Sequence, residues 1–218
     1  MSNSQEEEEE ETKVILVGES GVGKTNLINI ITGGEFNEKE KSSSTASFLN
    51  KKLIVKDKEY AINLWDTIGQ ESLRQMAKLF YNNSKIVIFV YDITERNSFD
   101  ELNKYWVKII EEKLGKNVIK GIVANKIDLF LNEQVTQEEG EEYAKSIGAL
   151  FLLTSAKTDS PKKFEGFLTK LYEQYLIKEG VDLSDPKPTK NENKNKNIVL
   201  DKKKNSNGGG GNKCCLNK

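Results

Sequence analysis

Apolar and polar positions along this chain divide it into two kinds of segment. Three runs are almost continuously apolar: "KVILVG" at 13–18, "KIVIFVYDI" at 85–93 and "VIKGIVANKID" at 118–128. Runs of this kind are typical of strands in a parallel sheet, because helices cover such strands on both faces. A fourth run, "ALFLL" at 149–153, predicts a last short strand.

Two further segments mix apolar and polar residues. "SFLNKKLIV" at 47–55 and "EYAINLWD" at 59–66 predict an antiparallel pair joined by a turn around Lys56–Lys58. The segment "KTNLINIITGG" has helical apolar spacing and ends on two glycines, so it predicts a helix. Further helices are predicted at about 97–114, 136–147 and 161–178.

Strands that alternate with crossover helices predict an α/β fold. We expect a single domain at 13–178, built on a mostly parallel six-stranded sheet with helices on both faces. Residues 1–12 contain six consecutive glutamates and predict a disordered acidic tail. Residues 179–218 are rich in Lys, Asn, Asp and Gly and predict a flexible tail.

Charge is distributed unevenly between body and tail. From Gly180 to Lys218 there are nine lysines and four acids, a net +5, which leaves −6 for residues 1–179 because the whole chain carries −1. A basic tail on an acidic body fits anionic lipid better than nucleic acid, since the body shows no matching basic, aromatic-interleaved surface.

Composition excludes several kinds of site. The chain has no histidine, which removes His-based catalytic arrangements and His-ligated metals. Its two cysteines, Cys214 and Cys215, are adjacent and cannot cross-link a core. No run of eighteen apolar residues occurs, and the N-terminus is acidic, so we expect an intracellular protein that does not span a membrane.

The strongest chemical signal is "GESGVGKT" at Gly18–Thr25, between the first predicted strand and the first helix. It matches G-x-x-x-x-G-K-[ST], a phosphate-binding loop. Its glycines let successive backbone N–H groups face phosphate oxygens, Lys24 reaches the outer phosphates, and the Thr25 hydroxyl binds Mg²⁺.

Three weaker motifs follow in order, each at the end of a predicted strand. In "DTIGQ" we expect Asp66 to hold Mg²⁺ and the Gly69 amide to sense the terminal phosphate. In "NKID" the Asp128 carboxylate can accept two N–H bonds from guanine, and "TSAK" completes the base pocket. Ligands of open α/β sheets bind at the carboxyl-terminal edge of the strands. All four motifs are expected at that edge, so together they are a strong signal for a nucleotide-binding site.

With these motifs the chain resembles a small Ras-like GTPase, specifically of the Rab family. The resemblance covers about Lys13 to Lys178 and rests on "ASFLNKKL", "LWDTIGQE", "VYDIT", "NKIDL" and "TSAK" together with the twin-cysteine tail. It is greatest to the early-endosomal branch. It implies a monomeric GTP/GDP switch with Mg²⁺ that regulates vesicle trafficking. It also implies an exchange factor, a GTPase-activating protein, effectors and an escort or GDI-type chaperone as partners, and the cytoplasmic face of endosomal membranes as location, with cycling to the cytosol.

The resemblance also assigns the residues of the site. Gln70 orients the attacking water, with Gly69 and Lys24 beside it, and Phe36 lies against the guanine face. Without the resemblance Phe36 would be a core residue. The nucleotide-binding set is Gly18, Glu19, Ser20, Gly21, Val22, Gly23, Lys24, Thr25, Phe36, Ser43, Gly69, Asn125, Lys126, Asp128, Ser155, Ala156 and Lys157.

The hydroxyl run "SSST" at 42–45 supplies the remaining Mg²⁺ ligand beside Thr25 and Asp66. In the family this residue lies nineteen positions after the loop lysine and twenty-three before the metal aspartate, and both counts reach Ser43. A bulge of one or two residues would give Thr45 that role instead.

Two surfaces beyond the nucleotide site follow from the resemblance. Phe48, Trp65 and Phe80 match the aromatic triad that effectors read, although three aromatics packed under a sheet are the simpler alternative. Cys214 and Cys215 match a double geranylgeranylation site, since Cys215-Leu216-Asn217-Lys218 makes a poor C-a-a-X box. Two unmodified thiols are the alternative there.

Three functions stay open. Gln70 favours a switch with slow hydrolysis. Ile68, where the family almost always has Ala, and the changed switch-helix start at Ser72 and Leu73 favour a GTP-binding module that hardly hydrolyses. A P-loop kinase is disfavoured, because "NKID" and "TSAK" would have no purpose in it.

Overall fold

A computed structural model describes residues 11–38, 47–67 and 81–183. Its sheet has six strands in the order β2-β3-β1-β4-β5-β6. The β2–β3 pair is antiparallel and all other pairs are parallel. The mostly parallel α/β fold is therefore confirmed. The strands are β1 Thr12–Val17, β2 Ser47–Val55, β3 Lys58–Asp66, β4 Ile86–Asp92, β5 Ile119–Asn125 and β6 Leu150–Leu153.

The helices follow the predicted order. The long helix expected at 97–114 consists of two α-helical parts joined by a π-helical turn, which the periodicity alone does not predict. The helices are α1 Lys24–Ile31, α2 Arg96–Glu101, the π turn Leu102–Trp106, α3 Val107–Leu114, a 3₁₀ helix Ile127–Asn132, α4 Gln137–Ser146 and α5 Pro161–Lys178.

Two hydrophobic layers lie on the two faces of the sheet. Val14 and Leu16 of β1 pack with α1 and α5, whereas Ile15 and Val17 pack with α2, α3 and α4. Alternate residues of one strand thus enter opposite cores, as the continuous apolar run predicted. Helices on both faces are confirmed.

The β2–β3 hairpin turns at Lys56 and Asp57, both of which have left-handed φ angles of 48° and 61°. Two such residues in succession match the right-handed twist of the strands they join. The turn lies where the sequence placed it, although neither residue is a glycine.

The parallel arrangement brings the carboxyl ends of four strands to one edge of the sheet. β1 ends at Val17, β3 at Asp66, β5 at Asn125 and β6 at Leu153. Each predicted motif begins at or just after one of these ends. β1 itself begins at Thr12, one residue before the predicted start of the domain.

Candidate functional site

A pocket of about 230 Å³ lies at this edge, and we call it the carboxyl-edge pocket. It is lined by residues from all four motifs and from the loop after α1. They are Ser20, Gly21, Gly23, Lys24, Thr25, Asn26, Phe36, Glu38, Thr67, Asn125, Lys126, Asp128, Leu129, Ser155, Ala156 and Lys157.

Two glycines of the "GESGVGKT" loop are required by close approaches. Gly23 has a φ of 98°, and a Cβ there would lie 2.3 Å from Asn125 Nδ2. A Cβ on Gly18 would lie 2.1 Å from the Val90 carbonyl oxygen. The loop can therefore curl against β4 and β5 only because these positions lack side chains.

Lys24 is the buried cation of the pocket. Its Nζ donates to the carbonyl oxygens of Gly18, at 2.9 Å, and Glu19, at 2.7 Å. Burial lowers the pKa of Lys24 to about 8, and the charges of Asp66 and Glu19 only partly oppose this. An anion placed in the pocket would favour the charged form of this ammonium group.

Thr25 and Asp66 join the first two motifs. The Thr25 hydroxyl donates to Asp66 Oδ2 at 2.6 Å, and Asp66 is only 3% exposed. A hydroxyl beside a carboxylate is the oxygen donor set that suits Mg²⁺. Within the described ranges no group of three or more His, Cys, Asp or Glu side chains could hold a metal. Mg²⁺ usually keeps several waters and takes substrate phosphate oxygens as further ligands.

The third and fourth motifs form the opposite end of the pocket. Asn125 donates to the Val22 carbonyl oxygen at 2.8 Å and accepts from the Ala156 N–H at 3.1 Å. One buried side chain thus joins the glycine loop to the "TSAK" loop. Ser155 donates its hydroxyl to Asp128 Oδ1 at 2.5 Å, which orients the carboxylate expected to read guanine.

A cation lies beside each of these loops. Lys126, with a left-handed φ of 67°, forms an ion pair with Asp92 at 2.6 Å. Lys157 lies 5.9 Å from the centre of the Phe36 ring and 3.3 Å from Glu38 Oε1. Phe36 and Lys157 therefore flank the part of the pocket next to Asp128.

Not every predicted site residue lines the pocket. Val22 is buried in the core, and Gly18 and Glu19 contribute carbonyl oxygens that hold Lys24. Phe48 is 57% exposed and stacks on Trp65 with ring centres 5.2 Å apart, whereas Trp65 is partly buried against the layer that contains Ile15 and Val17. Ser43, Thr45, Ile68, Gly69, Gln70, Ser72, Leu73, Phe80, Cys214 and Cys215 lie outside the described residues.

The sequence did not reveal three residues that support the pocket. Asn26 Nδ2 donates to the Asn37 carbonyl oxygen at 3.1 Å, and Asn26 Oδ1 accepts from the Asn37 N–H at 3.0 Å. Trp106 Nε1 donates to Glu19 Oε1 at 2.8 Å across 87 residues of chain. Asp159 accepts from the Thr154 hydroxyl and the Ser155 N–H at 2.9 and 3.0 Å. None of the three had a motif that marked it in the sequence.

None of the helices in the described ranges combines the length and apolarity needed to cross a bilayer.

Comparison with known proteins agrees with this geometry. The Ras family model matches residues 13–175. Rab-21 of Homo sapiens is 43% identical over 145 residues, which are 66% of this chain and 64% of that protein. Rab-21 of Canis lupus familiaris is 43% identical over 65% of its length, so the match spans less than two thirds of these relatives. The GTP-binding protein ypt3 of Schizosaccharomyces pombe is 35% identical over 165 residues, 76% of each chain. The predicted resemblance is confirmed, and the chain belongs to the Ras family of small GTPases.

Proposed function

We propose that this protein is a membrane-anchored GTP/GDP switch that hydrolyses GTP slowly and regulates vesicle trafficking. The observation that carries the proposal is the pairing of two chemistries in one pocket. Its lining combines Lys24 and Thr25, whose hydroxyl donates to Asp66, with Asp128, which Ser155 orients. A guanine nucleotide has the matching ends, a polyphosphate with its metal and a base edge with two N–H donors.

Each end of the pocket has a defined role in binding. The backbone N–H groups of the glycine loop and the Lys24 ammonium bind the phosphates. Asp128 accepts from guanine N1–H and the exocyclic amine, a charge-assisted pair that adenine cannot form. Phe36 and Lys157 cover the faces of the base.

Mg²⁺ would be held by Thr25 and Asp66, with Ser43 added in the GTP form. Bound there, it would neutralise charge that develops on the phosphates during transfer. Gln70 orients the attacking water and the Gly69 amide binds the γ-phosphate, which gives slow hydrolysis that a GTPase-activating protein accelerates.

The switch acts in membrane traffic, and we place it on the endocytic route at the cytoplasmic face of endosomal membranes. Similarity to Rab-21 supports the role in membrane traffic, and the early-endosomal character of the motifs supports the endocytic location. Effectors bind the surface formed by the exposed Phe48 and the partly buried Trp65 stacked on it, in the GTP form. An exchange factor loads GTP, and a GDI-type chaperone carries the prenylated GDP form through the cytosol.

The binding claim is tested by comparing nucleotides. Wild-type protein should bind GTP and GDP far more tightly than ATP, and Asp128→Asn should shift the preference to xanthosine nucleotides because the carboxylate becomes an amide. Equal affinity of the wild type for ATP and GTP would contradict the assignment of Asp128.

A second candidate, a GTP-binding module with little hydrolysis, is favoured by Ile68 beside Gly69. Single-turnover hydrolysis with saturating GTP separates the two. A slow measurable rate that Gln70→Leu lowers supports the switch. A rate that Ile68→Ala raises from near zero supports the module.

A further inference from the structure

We infer that the sheet edge opposite the carboxyl-edge pocket carries a basic groove that rests on a membrane containing anionic phospholipids. We define the basic groove by Lys85, Lys113 and Lys178 with Asn83 and Asn117. This inference rests on the proposed anchoring of the protein through Cys214 and Cys215, and it adds a second contact made by the folded domain itself.

Topology places the groove where several elements begin or end. It lies between the start of β4, the end of α3, the start of β5 and the end of α5. Because the connecting helices run back across the sheet, these ends meet at the amino edge of the parallel strands. The groove has a volume of about 530 Å³ and is lined mainly by polar side chains.

The groove concentrates positive charge on an acidic domain. Its lining has three lysines and a single carboxylate, Glu179, whereas residues 1–179 together carry −6. Lys13 lies close by, with its Nζ 3.2 Å from the Asn82 carbonyl oxygen. Local charge of one sign on a body of the other sign orients the molecule toward anions.

The ammonium groups are available to an outside partner. Lys85 and Lys113 are exposed, and within the described ranges neither side chain has an ion pair or a hydrogen bond. Lys178 donates to the Asn117 carbonyl oxygen, which uses only one of its three N–H groups. The amides of Asn83 and Asn117 add neutral donors for phosphate oxygens.

The course of the chain favours a membrane over a soluble anion. α5 ends at Lys178, within the groove lining, and the Val181 N–H then bonds back to the Leu176 carbonyl oxygen. The segment that leads to Cys214 and Cys215 therefore starts beside the groove and not beside the carboxyl-edge pocket. Lipid chains on these cysteines would tether the amino edge of the sheet to the bilayer, where each lysine near an anionic surface adds attraction.

The test uses the full chain without lipid, loaded with GDP, and vesicles of phosphatidylcholine with or without phosphatidylserine. The groove variant carries Lys85→Gln, Lys113→Gln and Lys178→Gln. A matched control carries Lys108→Gln, Lys162→Gln and Lys170→Gln, which removes the same charge from exposed lysines outside the groove. The tail lysines are present in every protein and contribute equally.

We expect the groove variant to bind phosphatidylserine vesicles about a hundredfold more weakly than wild type, since each of its three lysines contributes about a fivefold factor near the surface. The control variant should lose only a small part of that. Arginine at the three groove positions should keep the binding. Amine-reactive labelling of Lys85 and Lys113 should fall on vesicles, while that of Lys108 and Lys170 should not.

Equal losses in the two glutamine variants would overturn the inference, because net charge alone would then explain binding. Unchanged binding of the groove variant, or unchanged labelling of Lys85 and Lys113 on vesicles, would overturn it as well. GDP content and the unfolding midpoint verify that each variant is folded. Because no lipid is attached, failure of the prenylation proposal leaves this readout unaffected.

Discussion

At the scale of single residues, Asn26 connects α1 to the loop that carries Phe36 in the wall of the carboxyl-edge pocket. It is 9% exposed and holds both backbone polar groups of Asn37, the residue after Phe36. We therefore expect Asn26 to keep the Phe36 ring in place and to slow nucleotide release.

Replacing Asn26 by Ala should accelerate release of GDP. Two hydrogen bonds are lost, worth about 1–2 kcal/mol together, which corresponds to a release rate about 5–30 times faster. The GDP release rate of Asn26→Asp should fall between those of the wild type and Asn26→Ala, because the carboxylate still accepts from the Asn37 N–H but no longer donates. Displacement of a fluorescent GDP analogue measures the rate.

Asn29→Ala is the matched control for this effect. Asn29 lies on the same helix, and its side-chain amide has no hydrogen bond within the described ranges. A rise in release rate as large in Asn29→Ala as in Asn26→Ala would show that general weakening of α1 is responsible. A changed rate of GDP association in Asn26→Ala would also argue against the role of Asn26 in holding the Phe36 ring to slow release.

The hydroxyl run at 42–45 gives a second prediction at this scale. Ser43→Ala should weaken effector binding in the GTP form while GDP affinity stays nearly unchanged, because GDP lacks the γ-phosphate that orders this loop. Thr45→Ala should have little effect. Effector pull-down and GDP titration of both variants measure this, and the reverse ranking would place a bulge in the loop.

At the scale of elements, the π turn Leu102–Trp106 connects two helical parts whose buried residues face the same core. π turns inside α-helices are frequent at functional sites. Here the turn ends at Trp106, which is fully buried and donates to Glu19 of the glycine loop. The helix thus supports the loop that holds Lys24.

Glu19→Ala should lower the free energy of unfolding by about 1.5–3 kcal/mol, the usual contribution of a hydrogen bond to a charged group. Glu19→Gln keeps an oxygen acceptor and should recover much of the loss. Denaturant unfolding measures both. In a Trp65→Phe background the fluorescence of Trp106 reports the contact directly, and identical emission in all variants would contradict the link.

The elements differ in how well the sequence predicted them. β2 is predicted over its observed residues and β4 to within one. For β4 the reason is burial, because all seven of its residues are buried and a continuous apolar run is typical of such a strand. The π turn was not predicted, since it changes the hydrogen-bonding register without changing which residues are apolar. The Trp106–Glu19 bond joins residues far apart in sequence, and only the packing of α2 and α3 on β4 brings them together.

At the scale of the whole molecule, the two ends of the domain also differ in how far the sequence predicted them. The carboxyl-edge pocket was predictable because each of its loops carries a motif with its own chemistry. The basic groove was not, because Lys85, Lys113 and Lys178 are ordinary surface lysines in the sequence and become neighbours only when parallel strands align their starts. The role of Asn26 was not predictable either, because its partners are the backbone groups of Asn37, which no side-chain pattern marks.

The proposed lipid anchor at Cys214 and Cys215 leads to a prediction for the whole molecule. A single chain binds a bilayer only marginally, whereas two chains anchor it stably. Cys214→Ser and Cys215→Ser should each reduce the membrane-bound fraction in cells, and the double variant should be cytosolic with unchanged GDP affinity.

Deleting Leu216–Lys218 should leave the anchor intact, because twin cysteines rather than a C-a-a-X box direct the modification. Cell fractionation measures the membrane-bound fraction of each variant, and mass spectrometry of the tail detects the attached lipid. Loss of lipid on that deletion would identify the C-a-a-X route, and a membrane-bound double variant would show that the folded domain and its lysines are sufficient.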